Sequence, residues 1–341
     1  MHKLRNLIRQ VNKTHKGLGP LVAINILTSK AKKCLLVISP AGCGKSVATD
    51  ITHMLLRGQA IKYTSLTLAG LIRLRDQFSN FTGSIIIDDL GSEKSEWSRV
   101  STINVLATIV HTHNIHKVTA TSEIQLTNFH GSAALNIQPV LMNQLVGTED
   151  WIAVVRDKAL RYYHLIRPTV PKDYIPKLNF DQGTPLEQVN KSHHKGKLWY
   201  QLIQIGLTQW SYARCIEHIP TLLRATAAID GRQDVTGEDY RILIKLLKPM
   251  QIERYAITSW DFETGRNFLN NIYCILVEIA SHGQPTLQTI SEDYKISPST
   301  VERVVASAPE WCFKKTNSPT KIVPTEQCTK ILNLCGVNQT W

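Results

Sequence analysis

Short apolar runs alternate with longer helical stretches over the first half of the chain. The runs are Cys34–Ile38, Ile61–Thr64, Ser84–Ile87, Lys117–Ala120 and Trp151–Val155. This alternation is typical of parallel strands, because each strand needs a helical crossover before the next can run in the same direction. The pattern therefore predicts an α/β fold for residues 1–168, with five parallel strands in one sheet.

The pattern changes after residue 168. Proline recurs four times from Pro168 to Pro185, and the basic run Lys191–Lys197 follows, so this composition predicts a linker over residues 169–196. Residues 197–258 show helical periodicity alone, which predicts a small helical unit. Residues 259–341 show helices, a turn and a basic segment that could pair as a hairpin, and we expect a third domain there.

The charge of the chain indicates a polyanionic partner. Lys and Arg outnumber Asp and Glu by 39 to 27, which gives a net charge of +12. Nucleic acid is the first candidate for such a partner, and an anionic membrane surface is the second. The sequence has no uncharged apolar stretch of about 18 residues and no apolar segment of a secretory signal at its start. We therefore expect a cytoplasmic protein that does not enter the membrane.

A glycine-containing segment joins the first apolar run to a helical stretch. Its sequence, Ser39-Pro-Ala-Gly-Cys-Gly-Lys-Ser46, matches the phosphate-loop motif G-x-x-x-x-G-K-[ST], except that serine replaces the first glycine. Gly42 and Gly44 would let backbone amides turn toward phosphate oxygens, at dihedrals that a Cβ obstructs. A plain glycine turn beside a solvated lysine is the alternative, but the strand before and the helix after favour the phosphate loop.

The phosphate-loop interpretation assigns a role to each residue of the segment. Lys45 would reach the β and γ phosphates of ATP, and the Ser46 hydroxyl would bind Mg²⁺. The amides that precede the helix would hold the remaining phosphate oxygens. The predicted nucleotide contacts are Pro40, Ala41, Gly42, Cys43, Gly44, Lys45, Ser46 and Val47.

Two further runs end in polar residues that suit a nucleotide site. The run Ser84–Ile87 ends in Asp88 and Asp89, and we assign Asp88 to the Mg²⁺ shell and Asp89 to the attacking water. Taken alone, such acids could simply cap a strand in solvent. The run Lys117–Ala120 ends in Thr121 and Ser122, and we place a sensor of the γ-phosphate at Thr121, although hydroxyls at strand ends are common without any function.

The phosphate loop, the acidic strand, the sensor strand and the trailing helical unit together resemble the AAA+ superfamily over roughly residues 15–255. The segment from Trp210 to Tyr240 is similar to the lid of MCM helicases and their relatives. This resemblance implies an AAA+ P-loop core with a helical lid, in which Arg224 would touch the nucleotide as a second sensor. It also implies a homo-oligomer, such as a ring, with ATP between neighbouring subunits.

Two positions depart from the MCM pattern. That pattern inserts DNA-gripping hairpins between the acidic strand and the sensor strand, but only about 30 residues separate Asp89 from Thr121, which we expect to leave no room for them. The helix Pro139–Leu145 resembles the one that ends in an arginine finger, yet Gln144 stands at that position. Because a finger stabilises transition-state charge, fast hydrolysis would need a substitute. The candidates are Arg99, Arg156 and Arg161.

The carboxy-terminal region predicts a winged-helix DNA-binding domain. Residues 286–296 and 297–306 form two helical patterns, and Ser297 and Pro298 suit the start of the second helix. Its polar side would face the major groove, and lysines of the following hairpin would lie beside phosphates. A packing motif or a protein-docking module is the alternative. The predicted DNA contacts are Ser299, Thr300, Arg303, Lys314, Lys315 and Lys321.

These features lead to three functional hypotheses. The first is an ATP-dependent protein that acts on DNA, such as a replication initiator, a helicase loader or a minimal MCM-like helicase; an AAA+ core with a winged helix also resembles archaeal origin-recognition initiators. The second is a nucleotide-switched DNA-binding regulator or assembly platform that hydrolyses ATP slowly or not at all. The third is a protein-remodelling ATPase.

Overall fold

The computed structural model describes most of the chain, with gaps. The described residues are 2–90, 95–118, 123–146, 148, 151, 155–169, 178, 180–181, 183–190, 195–254, 271–306, 308, 312–316, 321–337 and 340–341. The first half contains the helices α1 (Lys3–Thr14), α2 (Gly19–Lys30), α3 (Lys45–Leu55), α4 (Leu68–Arg73), α5 (Arg75–Phe78), α6 (Glu96–Thr112), α7 (Pro139–Val146) and α8 (Arg156–Lys158). Its strands are β1 (Cys34–Ile38), β2 (Ala60–Tyr63), β3 (Ser84–Ile87), β4 (Ile115–Val118), β5 (Glu123–Leu126), β6 (Ser132–Ile137) and β7 (Ala159–Tyr163).

The second half is mainly helical. Its helices are α9 (Lys197–Gly206), α10 (Tyr212–Asp230), α11 (Gly237–Leu247), α12 (Asn271–Ala280), α13 (Leu287–Tyr294), α14 (Pro298–Ala306) and α15 (Glu326–Cys335), with 3-10 turns at Leu186–Gln188 and Lys248–Ile252. The strands of this half are β8 (Phe313–Lys315) and β9 (Ile322–Pro324). No helix in the described part of the chain has both the length and the apolar character that crossing a membrane requires.

Five parallel strands form the central sheet, in the order β2-β3-β6-β1-β7. This confirms the predicted α/β fold with a five-stranded parallel sheet. Every pairing within the sheet is parallel, with β1 between β6 and β7. Strand β1 therefore has a neighbour on each side and is one strand away from the β7 edge of the sheet.

The fourth strand of the sheet is not the predicted one. Lys117–Ala120 was expected to form it, but β4 pairs antiparallel with β5 in a separate hairpin. The position between β3 and β1 is occupied by β6, from Ser132 to Ile137. Five of the six residues of β6 are buried, whereas Val118 of β4 is 67% exposed. Burial on both faces is what a central parallel strand requires, and the small residues of β6 meet it.

The fifth strand also differs from the prediction. Trp151–Val155 was expected to form it, but Trp151 and Val155 both have π-helical geometry, and the strand beside β1 is β7. The centre of β7 is Arg161, which is fully buried and pairs with Glu253 through contacts of 2.6 and 2.8 Å. The guanidinium also lies 4.9 Å from the centre of the Trp151 ring. A buried arginine interrupts the apolar pattern, and the sequence therefore did not reveal this strand.

Strand β7 lies at an edge of the sheet, where two side chains from the turn after α9 pair with its backbone. Gln209 Oε1 accepts from Arg161 N at 3.0 Å, and Gln209 Nε2 donates to Arg161 O at 2.7 Å. Trp210 Nε1 donates to Ala159 O at 3.0 Å. These side chains satisfy backbone groups that would otherwise be left unpaired at the edge.

Helices cover both faces of the sheet. Successive residues of a strand point to opposite faces, and Leu35 and Val37 of β1 pack in one core with α1, α2, α3 and α9–α11. Leu36 and Ile38 pack in the other core, with α6 and α7. The helices α9–α11 therefore lie on the same face of the sheet as α1 and α2.

The carboxy-terminal elements follow the predicted order of two helices and a hairpin. Helices α13 and α14 are joined by the turn 295–297, and Ser297 Oγ accepts from Thr300 N at 3.2 Å, as predicted for a helix cap. Strands β8 and β9 then pair antiparallel. These elements share a small apolar core formed by Leu276, Ile279, Ile290, Val301, Val305 and Ile322.

Candidate nucleotide-binding site

The glycine-containing loop connects the end of β1 to the start of α3, as predicted. Gly42 and Gly44 have φ of +78° and +74°, in the left-handed region that favours glycine. A Cβ on Gly44 would lie 2.7 Å from Pro168 Cγ and 3.0 Å from Leu18 Cδ2, whereas a Cβ on Gly42 would meet nothing within 4 Å. Gly44 thus packs the loop against residues 18 and 168, while Gly42 borders open space.

The loop occupies the place in the sheet where ligands are generally bound. After β1 the chain moves to β2, at one edge of the sheet. After β6 it passes β1 and forms β7, at the opposite edge. In open α/β sheets, ligands bind outside the carboxyl ends of the strands at such a reversal of strand order. The start of α3 adds backbone amides that face an anion at the same point.

The Lys45 ammonium group lies across its own loop. Lys45 Nζ donates to Ser39 O at 2.5 Å and to Pro40 O at 2.8 Å. Bound phosphate would offer this group charged oxygens in place of two neutral carbonyls, and charge-assisted hydrogen bonds are roughly twice as strong as neutral ones. The position suits the predicted role of Lys45.

The Asp88 carboxylate is brought to the first turn of α3. Asp88 Oδ1 lies 3.2 Å from Thr49 Oγ1, and this hydroxyl is 2.8 Å from Ser46 O. Asp88 Oδ2 lies 3.4 Å from Lys62 Nζ, which also contacts Asp50. Partial burial acts to lower the pKa of Lys62, but the two carboxylates outweigh it and raise that pKa. Asp88 therefore lies beside the start of α3, where the loop ends, with a charged lysine next to it.

The strand that carries Asp88 is separated from β1 by one strand. Strand β6 lies between the acidic strand β3 and the strand of the loop, β1. This arrangement brings in Asn136, which the sequence analysis missed. Asn136 is 2% exposed, and its Nδ2 donates to Asp88 Oδ1 at 3.0 Å. A polar residue next to the end of the apolar run 132–137 was the signal that could have identified it.

The other two predicted catalytic residues are placed less fully. The Asp89 amide donates to Thr64 O at 2.9 Å, which holds its backbone beside the end of β2. Thr121 and Ser122 lie outside the described residues. Strand β4, which precedes Thr121, is not part of the central sheet. Strand β6 takes the place that was predicted for it, and the polar residue near the end of β6 is Asn136.

His164 is a second residue that the sequence analysis missed. It follows β7, and its amide donates to Ile38 O at 2.9 Å, which continues the pairing of β7 with β1. The ring is 4% exposed and hydrogen-bonds to the backbone of Cys43 in the loop. Burial, and after it the positive charge of Lys45, lowers the pKa of His164 to about 4. The ring is therefore neutral at pH 7, and its hydrogen bond to Cys43 connects the end of β7 to the loop.

Arg224 is not brought to the loop. Its guanidinium donates to Val189 O at 3.0 Å and to Leu186 O at 2.9 Å. Leu186 borders a cavity with Leu56, at the carboxy-terminal end of α3. The loop adjoins the other end of this helix, and its 11 residues span about 16 Å. In this structure Arg224 contacts the 186–189 segment instead of a nucleotide position.

The structure also places the three arginines that could replace the missing finger. Arg161 is fully buried in its pair with Glu253, so it cannot act on another subunit. Arg99 NH2 donates to Gln144 Oε1 at 3.1 Å, which puts this guanidinium beside the finger position. Arg156 is exposed. The side-chain positions therefore leave Arg99 and Arg156 as candidates.

The residues at the loop suit a magnesium nucleotide. Mg²⁺ is commonly held by one or two carboxylates together with substrate phosphates and water. Asp88 supplies a carboxylate near the turn that contains Ser46, and Gly42 of the loop borders open space. Ser46 and Asp88 are the residues that would hold the ion.

The predicted DNA contacts lie on the carboxy-terminal elements. Ser299 and Arg303 of α14 are exposed, and Thr300 is half-buried beside the cap at Ser297. Lys314 and Lys315 are exposed on β8, and Lys321 is half-buried beside β9. The basic hairpin is fixed to the helix pair, because Ile322 N donates to Pro285 O at 3.0 Å.

Neither the family models nor the curated proteins that were searched contain a match to the chain.

Proposed function

We propose that this protein is a P-loop ATPase of the AAA+ type that uses Mg²⁺ and acts on DNA. The observation that carries this proposal is the meeting of the loop and the acidic strand: Thr49 links Asp88 to the first turn of α3, beside Ser46 and Lys45. The order of the strands supports it, since the loop lies where the sheet is expected to bind a ligand.

Each side chain at this site has a separate role in the proposed hydrolysis of ATP. Mg²⁺ would neutralise phosphate charge. Lys45 leaves the carbonyls of residues 39 and 40 and binds the β and γ phosphates. Asp89 accepts a proton from the attacking water, while Asn136 donates to Asp88 and holds its carboxylate in place. The amides around Gly42 hold the remaining phosphate oxygens.

Replacing Asp88 with asparagine should remove the dependence of ATP binding on Mg²⁺. The amide has the same shape as the carboxylate but no charge, and even loss of a group that only orients a metal ligand typically costs about 10–100-fold in metal affinity. Titration of ATP with and without Mg²⁺ measures the effect. Asp50→Asn is the matched control, because Asp50 shares Lys62 with Asp88 but is 48% exposed. Equal responses to Mg²⁺ in wild type and Asp88→Asn would refute the assignment.

Two hairpins support the proposed action on DNA. The exposed Lys314 and Lys315 lie on the hairpin that follows the helix pair. Along the sequence, the hairpin β4–β5 follows α6 and precedes β6. This is the region where the MCM pattern carries its DNA-gripping hairpins. We expected no room for such an insertion because we had taken the first strand of this hairpin for the sensor strand. The chain segment from Asp89 to β6 contains the short antiparallel hairpin β4–β5.

Replacing Lys314 and Lys315 together with alanine should weaken DNA binding at every sequence. Each lost phosphate contact lowers the slope of log affinity against log salt by about 0.9 for duplex DNA, so we expect a slope reduced by about 2. Binding of labelled duplex at several salt concentrations measures it. Lys330→Ala is the control, since Lys330 pairs with Glu326 on α15. An unchanged slope in the double variant would remove the hairpin from the DNA surface.

Gln144 supports a second candidate, a nucleotide switch that hydrolyses ATP slowly. An arginine finger contributes about 10³–10⁵-fold to turnover in nucleotide hydrolases that use one, and here the finger position carries an amide that accepts from Arg99. Single-turnover hydrolysis with and without DNA distinguishes the two candidates. Strong stimulation by DNA supports a motor, and a slow rate that DNA does not change supports the switch.

A further inference from the structure

A cavity of about 390 Å³ lies between the α/β core and the carboxy-terminal elements. From the core it is lined by Lys16, Gly17, Ile166, Arg167 and Thr169, and from α11 by Lys245. From the carboxy-terminal elements it is lined by Glu278, Ser281, His282 and the segment 335–337. Its volume falls in the range of roughly 300–1,000 Å³ that small-molecule sites occupy.

The cavity lies next to the residues that pack against the phosphate-binding loop, and none of its lining residues belongs to the loop itself. Gly17 and Thr169 line it, and Lys16 pairs with Thr169 through an isolated β-bridge. The residues next to this bridge, Leu18 and Pro168, are the ones against which Gly44 of the loop packs. A ligand whose phosphates bind the loop amides can therefore extend over residues 17 and 168 into the cavity.

The lining suits the nucleoside part of such a ligand. Lys16 and Arg167 contribute positive charge from the core, and Lys245 Nζ donates to Thr340 O at 2.8 Å. Ser281, His282 and Glu278 offer hydrogen-bond donors and acceptors on the opposite wall. Apolar residues such as Ile166, Pro249 and Val337 line the rest of the wall, and a concave wall that combines apolar and polar groups is typical of small-molecule sites.

The carboxy-terminal wall is held against the core by apolar packing. Val277 and Ala280 of α12, and Cys328 and Ile331 of α15, belong to the same buried cluster as Ile252. Residues 281 and 282 directly follow α12, so their positions depend on this packing. A ligand that contacts them binds the docked arrangement more tightly, and it must favour docking by the same free energy.

From this geometry we infer that the cavity receives the base and ribose of the nucleotide, and that the carboxy-terminal elements form its outer wall. Nucleotide binding and docking of the helix pair are then coupled. The inference rests on the proposed nucleotide function and goes beyond it, because it assigns part of the nucleotide site to the DNA-binding end of the chain.

The test compares a complete nucleotide with its phosphate chain alone. The full chain is titrated with ATP and with inorganic tripolyphosphate, both in the presence of Mg²⁺. Ser281→Trp fills the cavity and should weaken ATP binding by at least about 10-fold, the loss expected for about one hydrogen bond or a steric conflict, without changing tripolyphosphate binding. His282→Ala should weaken ATP binding in the same selective way.

Controls separate failure of the inference from failure of the proposed function. Thr329→Trp places the same bulk on the exposed side of α15, outside the cavity, and should leave ATP binding unchanged. If wild type binds neither ligand, the proposed nucleotide function fails. If wild type binds ATP but Ser281→Trp and His282→Ala bind it equally well, the cavity assignment is overturned while the function stands.

Hydrogen exchange measures the coupling directly. ATP should slow amide exchange in residues 276–280 of α12, and tripolyphosphate should not, because only ATP reaches the outer wall. Equal exchange of α12 in the two complexes would overturn the coupling.

Discussion

Replacing Lys45 with alanine is expected to lower the rate of ATP hydrolysis by about 10²–10³-fold, the loss that follows removal of one preorganised donor at a transition state. The ammonium group already lies at the mouth of the loop, 2.5 Å from Ser39 O and 2.8 Å from Pro40 O. Alanine retains the helix start but offers no charge to the β and γ phosphates. Phosphate release under saturating ATP and Mg²⁺ measures the change.

The control for Lys45→Ala is Lys197→Ala, which removes an exposed lysine at the start of α9. It changes the net charge of the chain by the same amount and should leave turnover unaltered. Hydrolysis at the wild-type rate by Lys45→Ala would show that the loop is not the catalytic site.

Replacing Glu253 with glutamine is expected to lower the free energy of unfolding by about 3–5 kcal/mol, because it leaves a buried charge without its partner. Arg161 is fully buried, and both oxygens of Glu253 contact its guanidinium. Tyr163 OH also lies 3.3 Å from this carboxylate, and burial raises the pKa of Tyr163 well above its ordinary value, so its hydroxyl stays protonated. Urea denaturation followed by circular dichroism measures the loss.

A double variant separates the cost of an unpaired charge from the value of the pair. Arg161→Met with Glu253→Leu removes both charges and retains apolar bulk, so it should be more stable than Glu253→Gln. The exposed pair of Glu326 and Lys330 provides a second control, since Glu326→Gln should change stability little. A double variant no more stable than the single one would show that the packing of residues 161 and 253, and not their charge, sets the cost.

The loop could be predicted because its chemistry is local. Every residue of Ser39–Ser46 is contiguous, and the left-handed glycines are needed wherever the chain turns from a strand into a phosphate-binding helix start. The cap at Ser297 could be predicted for the same reason: the donor of its hydrogen bond, Thr300 N, is three residues away.

The strands of the sheet could be predicted only in part. Hydrophobic patterning identifies segments able to form strands, but it does not say which of them pair. The segments 115–118 and 132–137 both suit a strand, and only the second is buried well enough to lie between two others. Strand β7 was missed because the partner of its central arginine, Glu253, lies 92 residues away.

Asn136 and His164 could not be identified from the sequence for a related reason. Asn136 and His164 act through contacts with Asp88 and Cys43, and each contact joins elements that are far apart along the chain. Neither residue forms part of a contiguous motif. Their positions depend on the order of the strands in the sheet, and the hydrophobic pattern of the sequence does not reveal that order.

The pairing of Gln209 and Trp210 with the backbone of β7 limits how copies of this chain can associate. An uncovered edge strand is a template for another chain, which can add a strand and extend the sheet between molecules. Here side chains of the same chain already take up the amide and carbonyl of Arg161 and the carbonyl of Ala159. Subunits that assemble beside β7 must therefore meet through side-chain surfaces, because a continuous intermolecular sheet cannot form there.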